Sequence, residues 1–225
     1  MKTVNRTGGH PAPPSKRLKF WVVALVVAGL TIVASVPALV PVAAAQTGRC
    51  APGTRDVGVV DGYASGRLRK IRLCALPNLR STSEESTPGS AYYIRGANHH
   101  ALVNAHVSAA AFRMVNAAKH ARVPLSATST FRTMAHQQAL CRANAACRQG
   151  NYTYVAKPGY SNHQLGLAID FAGTNVRGGP SCRQRATDRG SPVWRWLYQH
   201  AATYGYRQYA AESWHWDTLR NSTRC

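Results

Sequence analysis

Two short stretches carry the residue types that can do chemistry. Residues 160–171 read Tyr-Ser-Asn-His-Gln-Leu-Gly-Leu-Ala-Ile-Asp-Phe and place His163 and Asp170 seven positions apart around Gly166. Residues 212–217 read Glu-Ser-Trp-His-Trp-Asp and add His215, with Glu212 three positions before it. Two imidazoles and one carboxylate suit a borderline cation such as zinc and leave a fourth position open. His163, Asp170 and His215 are the candidate zinc ligands, and Glu212 is a carboxylate that can stand beside the ion without binding it. Taken alone, either histidine reads more plainly as a packed or surface side chain. A Ser/His/Asp or Cys/His arrangement is weaker still, because no G-x-S-x-G occurs and the cysteines suit disulfides.

These residues need elements that bring them together. Leu167, Ile169 and Phe171 alternate with Ala168 and Asp170, so a strand can bury the first set and turn Asp170 toward a cleft. His163 lies an odd number of residues from Asp170, and one straight strand would put the two on opposite faces. A turn must intervene, and Gly166 is the residue that permits it. The same parity separates Glu212 from His215, so a bend or bulge is expected there. Trp214 and Trp216 are expected to wall the site.

The remaining sequence supplies the frame. Val57 to Val60 is β-prone, Asp61-Gly62 and Ser65-Gly66 are turn pairs, and Leu68 to Cys74 alternates as a half-buried strand that Leu76-Pro77-Asn78 should end. Residues 81–90 read as a Ser/Thr/Glu loop, mobile at its tip. The spacing predicts a helix over 98–121, capped by Asn98, with Leu102, Val103, Phe112, Met114 and Val115 on its apolar stripe. A strand over 123–131, a helix over 133–147 and a short β-prone run at 151–156 follow. Residues 173–190 form a basic, glycine-rich excursion. A helix over 192–204 starts on Pro192 and stops at Gly205, and 206–216 returns as a strand or strand pair. There is no internal repeat. The pattern is α+β in a single domain: a small antiparallel sheet carrying the zinc site, helices packed against it, and disulfide staples. Residues 46–98 read as a strand-rich extension and 99–225 as the core.

Residues 1–45 read as an export signal. Lys16, Arg17 and Lys19 precede an apolar run from Phe20 to Ala34, and Ala43-Ala44-Ala45 offers small residues for cleavage before Gln46. An uncleaved membrane anchor is the rival reading, since 20–48 carries no charge. All six cysteines lie beyond this leader, which implies disulfides in an oxidising compartment, and the protein is expected to be exported, extracellular or associated with the cell wall. Six cysteines allow 15 pairings. Their separations suggest Cys50–Cys74 and Cys141–Cys147, leaving Cys182–Cys225. The chain carries +20, and losing the leader removes five of its 28 Lys and Arg and none of its eight Asp and Glu, leaving +15. That charge favours polyanionic surroundings such as anionic cell-wall polymers or lipid headgroups. Nothing in the sequence resembles a nucleic-acid recognition module.

Ser161-x-His163-x-x-Gly166-x-Ala168-x-Asp170, followed by Glu212-x-Trp214-His215-Trp216, resembles the VanY-like zinc D,D-carboxypeptidases and D,D-endopeptidases that trim bacterial peptidoglycan. Ser129-Thr130-Phe131-Arg132-Thr133, with Gln137 five residues after the arginine, resembles a second motif of that group. The likeness spans about residues 100–217. It implies that His163, Asp170 and His215 hold zinc, that Glu212 is the catalytic base, and that Arg132 binds a substrate carboxylate or a developing oxyanion. Ser161, Ser129 and Gln137 join the substrate-binding set. The implied reaction is hydrolysis of D-alanyl-D-alanine in peptidoglycan stem peptides, with endopeptidase or L,D-carboxypeptidase activity as alternatives and a non-catalytic wall- or polyanion-binding module as a further one. Thr130 and Phe131 stand where the group usually has Gly and Tyr; both lie beside Arg132, so these departures bear on specificity more than on chemistry.

Overall fold

The computed structural model describes residues 48–174 and 191–219. The proposed leader, residues 175–190 of the 173–190 excursion, and both Cys182 and Cys225 lie outside them. Among the described residues no helix is long and apolar enough to cross a membrane.

Among the described residues seven strands form one sheet: β1 (Arg55–Ala64), β2 (Arg67–Ser81), β3 (His100–Asn104), β4 (Ser126–Ser129), β5 (Ala168–Phe171), β6 (Arg207–Gln208) and β7 (His215–Asp217). Their order is β1-β2-β4-β5-β7-β6, with β3 also paired to β2. All pairings are antiparallel except β2 with β4. The helices among the described residues are α1 (Ala105–His120), α2 (Met134–Ala143), α3 (Ala145–Arg148) and α4 (Pro192–His200). The architecture is thus the α+β single domain expected, with one parallel junction in its sheet.

Alternation along β2 builds two cores. Leu76 joins the larger one with Val103, Met114, Ile169, Phe171, Trp194, Leu197 and Trp216. Ile71, Leu73 and Ala75 face a smaller one with Leu102 and Phe131. Disulfides Cys50–Cys74 and Cys141–Cys147 staple the start of the described chain to β2 and α2 to α3, as the spacing suggests.

Several elements differ from expectation, each for a local reason. The first long helix starts at Ala105, not 98. His100–Asn104 pairs with β2 as β3, and Asn98 and His99 have φ of +49° and +60°, outside any right-handed helix. Asn104 is the cap, its side chain accepting from His106 N–H. Strand β2 runs through Pro77 to Ser81, because the register with β3 shifts between Leu76 and Arg80 and no ladder donor is required of the proline. The 133–147 helix breaks at Asn144 into α2 and α3, and Asn144 caps the second. Residues 151–156 form no strand. The base of the 81–90 loop is packed: Glu85 and Ser86 are buried in a 3-10 turn (Glu84–Ser86), and the hydroxyls of Ser81, Ser83 and Ser86 bond in series.

Candidate metal and peptidase site

The site is assembled by one turn and two short strands. A 3-10 turn (Asn162–Leu165) carries His163 and ends on Gly166 at φ +64°. A Cβ there would lie 2.8 Å from the Asn104 backbone nitrogen, so the turn needs glycine for both conformation and space. The chain reverses at Gly166 and resumes as β5, as the odd spacing of His163 and Asp170 requires. Strand β5 pairs with β7 so that Asp170 stands opposite His215. Ile169 and Trp216, on the other face, enter the larger core. Trp216 therefore does not wall the cleft, whereas Trp214, ahead of the strand, does. The expected bend is a turn in which His215 N–H donates to Glu212 C=O at 3.3 Å.

His163 Nε2, Asp170 Oδ1 and His215 Nδ1 converge. The separations are 3.2 Å between the imidazoles, 3.3 Å from His163 to Asp170 and 3.0 Å from His215 to Asp170. The opposite ring nitrogens are committed. His163 Nδ1–H donates to Thr130 C=O at 2.7 Å, and His215 Nε2 faces the fully buried Asp217 Oδ2 at 3.3 Å. A nitrogen that donates outward leaves its partner nitrogen with a lone pair pointing inward. Three such acceptors repel one another unless a proton or a cation lies among them. The triangle also has the edge expected of tetrahedral zinc, about 3.3 Å for bonds of about 2.0–2.1 Å. The residues present thus fit a metal ion, with Thr130 and Asp217 orienting the ligands from behind. Without an ion the electrostatics say the same. Burial opposes charge on His215, yet its hydrogen bonds to Asp170 and Asp217 raise its pKa to about 9. Burial lowers that of His163, and burial would raise Asp170 but the two histidines hold it well below the usual carboxylate range.

Around the triangle lies a cleft of about 410 Å³. Glu212 lines it, with Oε2 3.8 Å from His215 Nδ1. Burial raises the Glu212 carboxyl and Asp170 adds to this, while His215 and Arg132 pull the other way. Arg132 also lines the cleft, its backbone N–H donating to His163 C=O. Nη1 donates to Gln137 Oε1 at 2.9 Å and Nη2 to Ser129 Oγ at 2.7 Å. Its Nε is buried with no hydrogen-bond partner among the described residues, and burial lowers its pKa against the pull of Asp170, Glu85 and Glu212. Ser161 opens onto the same cleft.

The remaining residues of the expected substrate-binding set lie around Arg132. Gln137 is fully buried and outside the cleft lining; its Oε1 accepts from Arg132 and its Nε2 donates to Ala156 C=O at 2.7 Å. Ser129, likewise outside the lining, anchors the same guanidinium. Thr130 and Phe131 are also fully buried, Thr130 Oγ1 accepting from Leu102 N–H. Sequence reasoning missed Asp217, although it lies two residues past His215 on the same strand face. It also missed Glu85, whose Oε1 accepts from Thr133 N–H and meets His136 Nδ1, both at 2.9 Å. That buried carboxylate fixes the start of α2 just behind Arg132. His136 stacks on Tyr92, and Tyr209 packs edge-on to His215 and lines the cleft.

Residues 100–219 match the family model described as VanY, D-alanyl-D-alanine carboxypeptidase, which places the chain among the peptidases. The chain belongs to the VanY family. No curated protein matches it. Among solved structures it is similar to the vancomycin-resistance D,D-pentapeptidase VanY from the VanB-type cassette in complex with Zn(II). The identity is 25% over 53% of this chain and 74% of that one, with a TM-score of 0.41. VanYB in complex with D-alanine-D-alanine matches at 25% identity over 53% and 73%, with a TM-score of 0.40. The L,D-carboxypeptidase DacB from Streptococcus pneumoniae matches at 25% identity over 72% and 84%, with a TM-score of 0.39. The family assignment rests on the matched residues, not on these loose overlaps.

Proposed function

We propose that this protein is a zinc-dependent peptidase of the cell envelope, exported by its leader, that removes the terminal D-alanine from peptidoglycan stem peptides ending in D-Ala-D-Ala. The observation that carries this reading is the convergence of three buried ligand atoms with Glu212 and Arg132 on one cleft.

Zinc held by His163, Asp170 and His215 would act as a Lewis acid on the scissile carbonyl and on water. Glu212, close to the ligand triangle but outside it, takes the proton of the attacking water on a carboxylate oxygen and passes it to the departing amine. Burial keeps that carboxyl from being too weak a base. Arg132 offers a permanent planar cation. Gln137 and Ser129 each occupy one of its terminal nitrogens, which fixes the plane and leaves further N–H groups for the terminal carboxylate of the peptide. Ser161 presents a hydroxyl beside it.

The test is to incubate the mature protein with purified peptidoglycan and defined muropeptides, with and without chelator, and identify the products. Chelator-sensitive release of free D-alanine from pentapeptides supports the proposal. Release from tetrapeptides only, or cleavage of cross-links without need of a free carboxylate, would replace it with L,D-carboxypeptidase or endopeptidase activity.

A further inference from the structure

The hairpin β1–β2 ends beside the cleft, and its tip is cationic. Its turn residue Gly66 donates its N–H to Gly159 C=O at 2.9 Å, and a Cβ on Gly66 would lie 3.2 Å from the Tyr160 hydroxyl. Tyr160 lines the cleft, and the Lys157 ammonium lies 5.2 Å from its ring centroid. Arg67 and Arg69 follow Gly66 on the strand face that continues into Ile71, which enters the smaller core. Opposite Arg69 is Gly62, where a Cβ would lie 2.8 Å from Gln164 C=O. That face of the hairpin therefore overlies the turn that carries His163. Arg67, Arg69 and Lys157 are all exposed. The two carboxylates of the hairpin are already taken, Asp61 by Lys70 and Asp56 by Arg72. None of the ion pairs among the described residues involves Arg67, Arg69 or Lys157.

We infer that Arg67, Arg69 and Lys157 form a rim subsite for a carboxylate-bearing residue of the substrate peptide, on the amino side of the scissile bond. This rests on the carboxypeptidase reading. If Arg132 takes the chain-terminal carboxylate, nothing of the peptide extends past it, and every other part of the rim meets the amino-side portion. A rim of unpaired cations selects an acidic peptide there over a neutral one. Exposed charge pairs are individually weak and salt-sensitive, so two or three of them produce a preference of about three- to tenfold at low salt.

The experiment compares two peptides that end in D-Ala-D-Ala and differ only in one upstream residue, glutamate or glutamine. The zinc-loaded mature protein is assayed for kcat/KM on each, and binding of each is measured by fluorescence anisotropy. The expected result is a severalfold preference for the glutamate peptide in both readouts. It should fall to about one in the Arg67→Gln/Arg69→Gln double variant and in 0.5 M salt. Both positions are exposed, so unchanged thermal unfolding should accompany the loss. Equal handling of the two peptides by the wild type, or a preference that survives the double variant, overturns the inference. So does equal handling combined with inhibition by a poly(glycerol phosphate) chain, which assigns the rim to a wall polymer instead. If neither peptide is cleaved, the carboxypeptidase reading fails, and the binding ratio still decides the rim.

Discussion

The ligand triangle and the wall of the cleft that faces it are built in opposite ways. His163, Asp170 and His215 are buried, set on a glycine-stopped turn and on two paired strands, and each imidazole is held from behind by an acceptor. Across the cleft, Tyr152, Tyr154 and Tyr160 are exposed, on a segment with no regular structure. That segment is tied at its end, by Gln137 to Ala156 C=O, by Gln164 Oε1 to Gly159 N–H and by Gly66 to Gly159 C=O. The ligand set is fixed by the sheet, and the opposite wall of the cleft by a few bonds to a loop. Damage on the first side should abolish function, and damage on the second should tune it.

The largest effects are expected in the triangle. His163→Ala or Asp170→Ala should lose both zinc and turnover, read by atomic emission beside D-alanine release. Glu212→Ala should keep the metal and lose about 10²- to 10⁴-fold in kcat, because only the proton carrier goes. Asp217→Asn removes the carboxylate behind His215 and should weaken zinc affinity about 10- to 100-fold, measured by competition with a chromogenic chelator. Gly166→Ala places a Cβ 2.8 Å from the Asn104 nitrogen at φ +64° and should cost about 1–3 kcal/mol of stability in denaturant unfolding. Gln137→Ala frees one Arg132 nitrogen and lets go of Ala156, so KM should rise more than kcat falls. Tyr154→Ala, 76% exposed, should change kcat/KM least and leave zinc content alone. A loss of zinc in that variant would erase the contrast between the two sides.

The half of this contrast that the sequence made legible is the sheet half. Parity alone required a reversal between His163 and Asp170, and Gly166 was the residue able to make it. A bend before His215 followed from the same reasoning. Asp217 was equally within reach, two residues from His215 on a strand, but a carboxylate behind a ligand has no signature separate from one on a surface. Other features were out of reach because pairing partners decide them. His100–Asn104 is apolar and adjoins a helix, and only β2 beside it makes it a strand. Pro77 looks like a strand end until the register shift with β3 excuses its missing donor. Gln137 sits at the right spacing from Arg132 for a substrate contact, yet only burial shows that it serves the arginine. The 81–90 segment has the composition of a loose loop, and its order comes from hydroxyl bonds and the buried Glu85 that no pattern announces.

The central claim is that one zinc in the triangle and one carboxylate beside it perform peptide hydrolysis. The most direct measurement is zinc content and D-alanine release, determined together on the mature wild-type protein and on Glu212→Ala with a pentapeptide substrate. The expected result is one zinc per chain in both proteins, with chelator-sensitive D-alanine release from the wild type alone. Full turnover by Glu212→Ala, or release by a wild-type protein stripped of zinc, would contradict it.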